Sequence, residues 1–100
     1  MSGFTLSNKA VADLKDIGRY TQKNWGGEQR DLYLRMLDAC FQQIAADPGK
    51  GKDCSDICNG YRKLNAGSHV IFYQEQSSGV IVIVRILHGS MDIEARLTES

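Results

Sequence analysis

The sequence predicts an α+β domain, in which an antiparallel pair of helices packs on one face of a small, mainly antiparallel sheet. Apolar residues recur at helical spacing through the first half of the chain. The second half changes to short runs rich in β-branched and aromatic residues, separated by glycine-containing turns. The predicted order of elements is therefore β-α-α-β-β-β. A chain of 100 residues can build one hydrophobic core, so we expect a single domain over residues 1–100.

The chain opens with a short apolar stretch, Phe4–Leu6, which predicts an edge strand. Ser7 is a candidate N-cap, and a helix is predicted over residues 8–24. The apolar stripe of this helix is predicted from four residues that occur at every third position: Val11, Leu14, Ile17 and Tyr20. Gly26 and Gly27 should end the helix, because glycine adopts the backbone angles of a tight turn. Trp25 is expected to plug the end of the core, the alternative being an aromatic anchor for a partner.

A second helix is predicted from a nearly complete apolar face. This face consists of Tyr33, Met36, Leu37, Cys40, Phe41 and Ile44. Asp47-Pro48-Gly49 should end it, because proline and glycine are typical just beyond a helix. Two helices joined by so short a turn must lie antiparallel. Cys40 falls on the apolar face and is expected in the core.

The segment Gly49–Gly60 is polar and is predicted to be irregular. Three strands of an antiparallel meander should follow it, over 61–65, His69–Glu75 and Val80–Leu87. The last strand is apolar on both faces, so we expect it inside the sheet and covered by the helices. Met91–Leu97 could add a final helical turn.

The charge balance favours a protein partner over a nucleic acid. Twelve basic and twelve acidic residues cancel, and the two halves of the chain are nearly even. A protein that depends on phosphate contacts usually carries a basic excess, although a small local basic pocket is compatible with this composition. Neither a secretory signal nor a membrane span is indicated. We expect a cytoplasmic protein with reduced thiols, no membrane contact and no sequence-specific binding of nucleic acid.

Neither a metal site nor a cofactor is expected. The three cysteines are Cys40, Cys54 and Cys58, and the last two are spaced C-x3-C. A zinc site favours two-residue spacing and a second ligand pair, which the sequence lacks. The glycine-rich phosphate loops and dinucleotide motifs are missing too. The cysteines therefore carry no assigned role.

One group of polar residues lies within the predicted sheet, and its role has two interpretations. Arg62 and Lys63 on the first meander strand could converge with Arg85 and His88 if the two strands were neighbours. His88 would then shuttle a proton while the cations stabilise developing negative charge. The simpler interpretation is structural: Arg85 pairs with an acidic residue such as Asp92 or Glu94, and His88 ends the strand with a hydrogen bond. No companion base is visible, which favours the structural interpretation.

The ordered motifs of the whole chain resemble the ParE branch of the ParE/RelE toxin superfamily. The resemblance rests on an ordered set: L-S-x-x-A-x-x-D-L-x-x-I-x-x-Y over 6–20, W-G at 25–26, Y-x-x-x-L-x-x-x-F over 33–41, D-P-G at 47–49, G-Y-R at 60–62, H-x-I-F-Y over 69–73, and V-R-I-L-H-x-x-M-D over 84–92. It implies a RelE/ParE-like fold and the toxic component of a type II toxin–antitoxin pair, as used in plasmid maintenance and stress responses. ParE-like toxins poison DNA gyrase, with the A subunit the expected target, and a ParD-like antitoxin neutralises them.

The sister RelE-like branch cleaves messenger RNA on the ribosome, and shared fold does not decide between the two. Three features favour gyrase: the net charge of zero, the small number of basic residues in the predicted meander, and the lack of a tyrosine after the last strand. His88, in contrast, is compatible with the ribonuclease branch. We therefore expect a binding toxin with no catalytic residue. The candidate surfaces are Arg85, His88, Met91 and Asp92 for the target, and Trp25, Leu32 and Tyr33 for the antitoxin. In the alternative, an endoribonuclease, the working residues would be Arg62, Lys63, Arg85 and His88.

Overall fold

The computed structural model describes residues 3–57, 59–90 and 97, which form two helices and a five-stranded sheet. The elements in chain order are β1 (Phe4–Leu6), α1 (Asn8–Trp25), α2 (Gly27–Ala46), a 3-10 turn (Pro48–Lys50), β2 (Lys52–Asp53), β3 (Arg62–Ala66), β4 (His69–Glu75) and β5 (Ile81–His88). The predicted order of helices and long strands is confirmed. One strand was missed: β2 lies inside the segment predicted to be irregular, and it pairs antiparallel with β3.

The strands lie in the order β1-β5-β4-β3-β2. β1 runs parallel to β5, and the other three pairings are antiparallel. β5 is thus an interior strand, as its apolar sequence predicts. The β4–β5 pairing shifts register after Phe72, which faces Arg85, while Tyr73 faces Ile83. Val84 is the extra residue of this bulge, and bulges of this kind bend a strand locally.

Two residues hold the helical hairpin in place. The Ser7 hydroxyl accepts a hydrogen bond from the amide of Ala10 at 3.0 Å and so caps α1, as predicted. The same hydroxyl donates to the Val84 carbonyl at 2.7 Å, which ties the start of α1 to the bulge in β5. Gly26 alone joins the two helices, with φ at 93°, a conformation that side chains other than glycine rarely adopt.

Apolar side chains cover both faces of the sheet. The larger core lies between the sheet and the helices and includes Leu37, Ile44 and Ile83. A smaller core on the opposite face contains Cys54, Phe72, Leu87 and Leu97, with Ile57, Tyr61 and Val70 packed against it. β5 is therefore buried on both sides, although α1 and α2 both lie on the side of the larger core. No helix among the described residues is long and apolar enough to cross a membrane.

Two expectations about the helices are corrected. Trp25 does not plug the core, because its residue surface is 72% exposed. Tyr20 does not complete the buried stripe of α1 either, since it is 65% exposed. The buried side of α1 is formed by Ala10, Ile17, Gly18 and Thr21. Cys40 is half-buried against the core. The predicted final turn, Met91–Leu97, lies outside the described residues except for Leu97.

Candidate functional site

Arg85 forms a largely buried ion pair with Asp13 of α1. The Arg85 Nε donates to Asp13 Oδ2 at 2.8 Å, and its Nη2 donates to Asp13 Oδ1 at 3.0 Å. The two side chains are 12% and 13% exposed. A paired, two-point contact of this kind is the strong form of an arginine–carboxylate interaction. Arg85 therefore has the acidic partner that the structural interpretation requires. It comes from α1, and Asp92 and Glu94 lie outside the described residues.

Asp13 also accepts a backbone hydrogen bond from β5, in the part of β5 that extends beyond its pairing with β1. β1 ends at Leu6, opposite Ile83, and α1 flanks β5 beyond this point. The amide of Ile86 donates to Asp13 Oδ2 at 3.0 Å. A buried amide without an acceptor would cost free energy, so the carboxylate replaces the missing strand. Asp13 therefore fixes α1, the Arg85 side chain and the β5 backbone together.

Three rings lie in a row beside this pair, and we call Tyr33, His69 and His88 the histidine cluster. The Tyr33 hydroxyl lies 2.6 Å from His69 Nδ1. The rings of Tyr33 and His69 meet edge to face at 5.5 Å, as do those of His69 and His88 at 5.3 Å. His69 and His88 are directly paired across β4 and β5. The cluster therefore connects α2 to the edge of the sheet at which β4 begins and β5 ends.

The surroundings of His69 favour its neutral form. Burial lowers the pKa of His69 below its ordinary value, and the nearby His88 adds to this, while Asp13 opposes it. In neutral His69 with its proton on Nε2, the Tyr33 hydroxyl donates to Nδ1. The same hydroxyl accepts from the amide of Ser68 at 3.0 Å. His69 and Tyr33 thus form a closed hydrogen-bonded unit at the end of the sheet.

His88 ends β5 with hydrogen bonds to a residue two positions further on. Its Nδ1 accepts from the amide of Ser90 at 3.1 Å and lies 2.7 Å from the Ser90 hydroxyl. This is the strand-ending hydrogen bond that the structural interpretation predicts. Nδ1 is therefore occupied, which leaves Nε2 as the ring nitrogen available to another molecule.

The four residues of the ribonuclease alternative do not meet in one site. β4 separates β3 from β5, so the required neighbouring strands are absent. Arg62 donates to the Gly51 carbonyl at 2.9 Å and secures the connection before β2. Lys63 lines a hollow at the far edge of the sheet, and Arg85 is held by Asp13. The condition on which the catalytic alternative depended, that the two strands are neighbours, is therefore not met.

The hairpin carries a groove on each side. The larger has a volume of about 530 Å³ and lies between the helices and β1. Its floor is apolar, with Phe4, Leu6, Leu14, Leu34 and Phe41, and its rim carries Lys15, Arg19, Arg30 and Asp38. The smaller, of about 480 Å³, is lined by Thr21, Trp25, Gln29 and Tyr33. The structure therefore brings two of the three candidate antitoxin contacts together, Trp25 and Tyr33. Leu32 is 52% exposed outside that lining.

The structure separates the candidate target residues into two groups. Arg85 is held beside α1, whereas His88 lies at the end of β5, and Met91 and Asp92 lie outside the described residues. Asp13 was missed as a site residue, although its spacing gives a signal. It lies three residues after Ala10 and four before Ile17, so it is a charged residue on the buried side of α1. A charge in that position needs a buried partner.

Comparison with solved structures establishes the fold first, and a family model then gives the class of protein. The chain superimposes on a structure titled "Chromosomal ParDE TA system from P. aeruginosa" with a TM-score of 0.75 and 20% identity, covering 88% of this chain and 95% of that one. At this identity the likeness establishes the fold alone, that of a small α+β domain. A family model described as the ParE toxin of type II toxin–antitoxin system, parDE, matches residues 4–93.

Curated relatives align with this chain over almost their entire length. Toxin ParE1 of Mycobacterium tuberculosis is 43% identical over 96 residues, which is 96% of this chain and 98% of that protein. Toxin ParE1 of Caulobacter vibrioides is 44% identical over 98 residues, covering 97% and 99%. Toxin ParE of Escherichia coli is 32% identical over 99 residues, covering 99% and 96%. The chain belongs to the ParE toxin family of type II toxin–antitoxin systems, as the resemblance of its motifs predicted.

Proposed function

We propose that this protein blocks replication by binding DNA gyrase, through its A subunit, and that a ParD-like antitoxin neutralises it in the cytoplasm. The observation that carries the proposal is the family match over residues 4–93. The protein acts as a binding toxin, without a catalytic step of its own.

The side-chain geometry supports binding over catalysis. Two of the three cations that an endoribonuclease would use are engaged elsewhere, Arg62 with a backbone carbonyl and Arg85 with Asp13. A general base needs a companion group placed for the reacting atoms. In the described part of the chain, His88 has Ser90 on one ring nitrogen and the His69 ring beside it. These contacts stabilise the conformation at the end of β5.

We assign the target surface to the end of β5. It includes His88 and, further along the sequence, Met91 and Asp92, while Arg85 positions β5. The Arg85–Asp13 pair and the histidine cluster fix this end against both helices. A rigid end favours binding, since less conformational entropy is lost on association.

The antitoxin is expected to cover the hairpin. The apolar floor of the larger groove fits the apolar face of an amphipathic segment. Trp25, Leu32 and Tyr33 supply further contacts on the other side of the hairpin. An exposed tryptophan is a frequent centre of binding energy, and Trp25 has the exposure to serve as one.

Two assays run in parallel test the target. Purified toxin is added to gyrase with relaxed plasmid DNA and ATP, and to a translating ribosome with a labelled message. We expect lost supercoiling or trapped cleavage complexes in the first assay, reversed by the antitoxin, and an intact message in the second. Cuts placed within codons, together with unaffected gyrase, would establish the endoribonuclease alternative instead.

A further inference from the structure

A cluster of lysines occupies the edge of the sheet farthest from β1. Lys50 follows the hairpin, Lys52 lies on β2, and Lys63 lies on β3. Together with Leu64 and Asn65 they line one hollow of about 280 Å³. We call these three residues the lysine edge. A protein with no net charge thus concentrates three of its twelve basic residues at one place.

The pairing of the strands makes this arrangement costly unless an anion binds. Lys52 and Lys63 face each other directly across β2 and β3. Like charges in that position destabilise a sheet pair. The ion pairs found among the described residues involve none of the three lysines. The carboxylate closest in sequence, Asp53, accepts the amide of Ser55 at 2.8 Å, and its cross-strand neighbour is Arg62.

Protection of the sheet edge explains only part of the cluster. Charged residues on an edge strand discourage pairing with another chain, and Lys52 can act in this way. Lys63, however, lies on an inner strand, with β2 on one side and β4 on the other. A lysine there is not needed to protect an edge. Its side chain adds to the charge of the same hollow.

The chemistry of the cluster favours phosphates over carboxylates. The hollow contains lysines, which act as point charges on flexible stems, and lacks the arginine fork that pairs with a carboxylate in two places. Leu64 is its single apolar lining residue, so it offers little to the apolar side chains of an acidic peptide. Evenly spaced phosphates without side chains fit such a surface better.

We infer that the lysine edge binds the phosphate backbone of double-stranded DNA without reading its sequence. This inference rests on the proposed function, because DNA held by gyrase is the duplex that the toxin would meet. The lysine edge would then add a DNA contact to the protein contacts made by the end of β5. The absence of a basic excess over the whole chain agrees with a contact this small.

The test is the salt dependence of duplex binding by the full-length toxin. Fluorescence anisotropy is measured with a labelled duplex of random sequence, from 50 to 200 mM salt. Three neutralised phosphates predict a slope of log affinity against log salt of about −2.7, or about 40-fold weaker binding over this range. In Lys52→Gln/Lys63→Gln the slope should fall in size by about 1.8. The matched control Lys9→Gln/Lys23→Gln removes two charges from α1 and should keep the wild-type slope.

Three results would overturn the inference: no binding of wild-type toxin at 50 mM salt, equal slopes in the two double variants, or stronger competition by a polyglutamate peptide than by unlabelled duplex of equal charge. Antitoxin binding by each variant shows that it is folded. Supercoiling assays separate this inference from the proposed function. If the toxin leaves gyrase active while only the β2–β3 variant loses DNA binding, the gyrase proposal fails and the DNA site stands.

Discussion

Replacing Arg85 with methionine tests whether this residue holds the fold or serves the target. The substitution keeps an apolar stem but leaves the Asp13 carboxylate with the Ile86 amide and without its guanidinium. Removing one partner of a buried ion pair typically costs 3–5 kcal/mol. We expect about 3 kcal/mol, at the lower end, because the carboxylate keeps a hydrogen bond. For a domain of this size that corresponds to a melting temperature lower by about 12–24 °C.

The control is the same substitution in an exposed pair. Arg19 contacts Asp16 at 3.2 Å with both side chains more than three-quarters exposed, so Arg19→Met should cost less than about 1 kcal/mol. In the double variant Asp13→Asn/Arg85→Met, the asparagine oxygen can still accept from the Ile86 amide. The cost should then fall to about 1 kcal/mol, since no buried charge is left unpaired.

The assay is urea unfolding of the purified toxins followed by circular dichroism. If Arg85→Met lowers the free energy of unfolding no more than Arg19→Met does, the pair does not hold β5 in place. If that variant in addition no longer inhibits gyrase, Arg85 contacts the target directly, and its role as a positioning residue is refuted.

Three further predictions address other parts of the molecule. The lowered pKa of His69 means that the unfolded chain binds its proton more readily, so stability is complete above about pH 6.5 and falls as pH drops through the window down to the folded pKa. His69→Gln should flatten this fall in urea unfolding measured between pH 5 and 8, and an unchanged pH profile would show that another group causes the fall. Gly51→Ala should destabilise by about 1–3 kcal/mol, because a Cβ there would collide with the Tyr73 hydroxyl; a melting temperature equal to that of the wild type would exclude this close approach. Trp25→Ala should change stability by no more than about 0.5 kcal/mol, since the side chain is exposed, yet weaken antitoxin binding about tenfold in calorimetry. Unchanged affinity would remove Trp25 from the antitoxin surface.

The periodicity of the sequence predicted most of the fold. The predicted bounds of the first helix and of the two long strands agree with the structure to within one residue. β2 was missed because two residues, both charged, leave no pattern to recognise. Its existence depends on pairing with β3, a contact that local sequence does not encode.

The buried side of α1 was predicted only in part, with Leu14 and Ile17 right, because small residues form the rest of it. Gly18 and Thr21 are buried, and they add little hydrophobic signal. The larger Val11 and Tyr20 dominated the pattern, although both are exposed. A buried face of small side chains suits a helix that packs closely on a neighbour. Such a face is weakly visible in hydrophobic periodicity.

The site was harder to predict than the fold, since it depends on contacts distant in sequence. Arg85 was recognised as a buried cation in need of a partner, but its partner lies 72 residues earlier. The bulge in β5 and the short length of β1 bring the two together. The histidine cluster depends in the same way on the register between β4 and β5. Neither register nor bulge can be derived from the apolar pattern of a single chain.

The stoichiometry of gyrase inhibition tests the central claim, that this toxin acts by binding without catalysis. Toxin is titrated against a fixed, known concentration of gyrase while supercoiling activity is measured. We expect inhibition to rise in proportion to added toxin, to reach its plateau near a fixed toxin-to-subunit ratio, and to be reversed by equimolar antitoxin. Full gyrase activity at toxin excess, with message cleaved by toxin present far below the ribosome concentration, would contradict the claim.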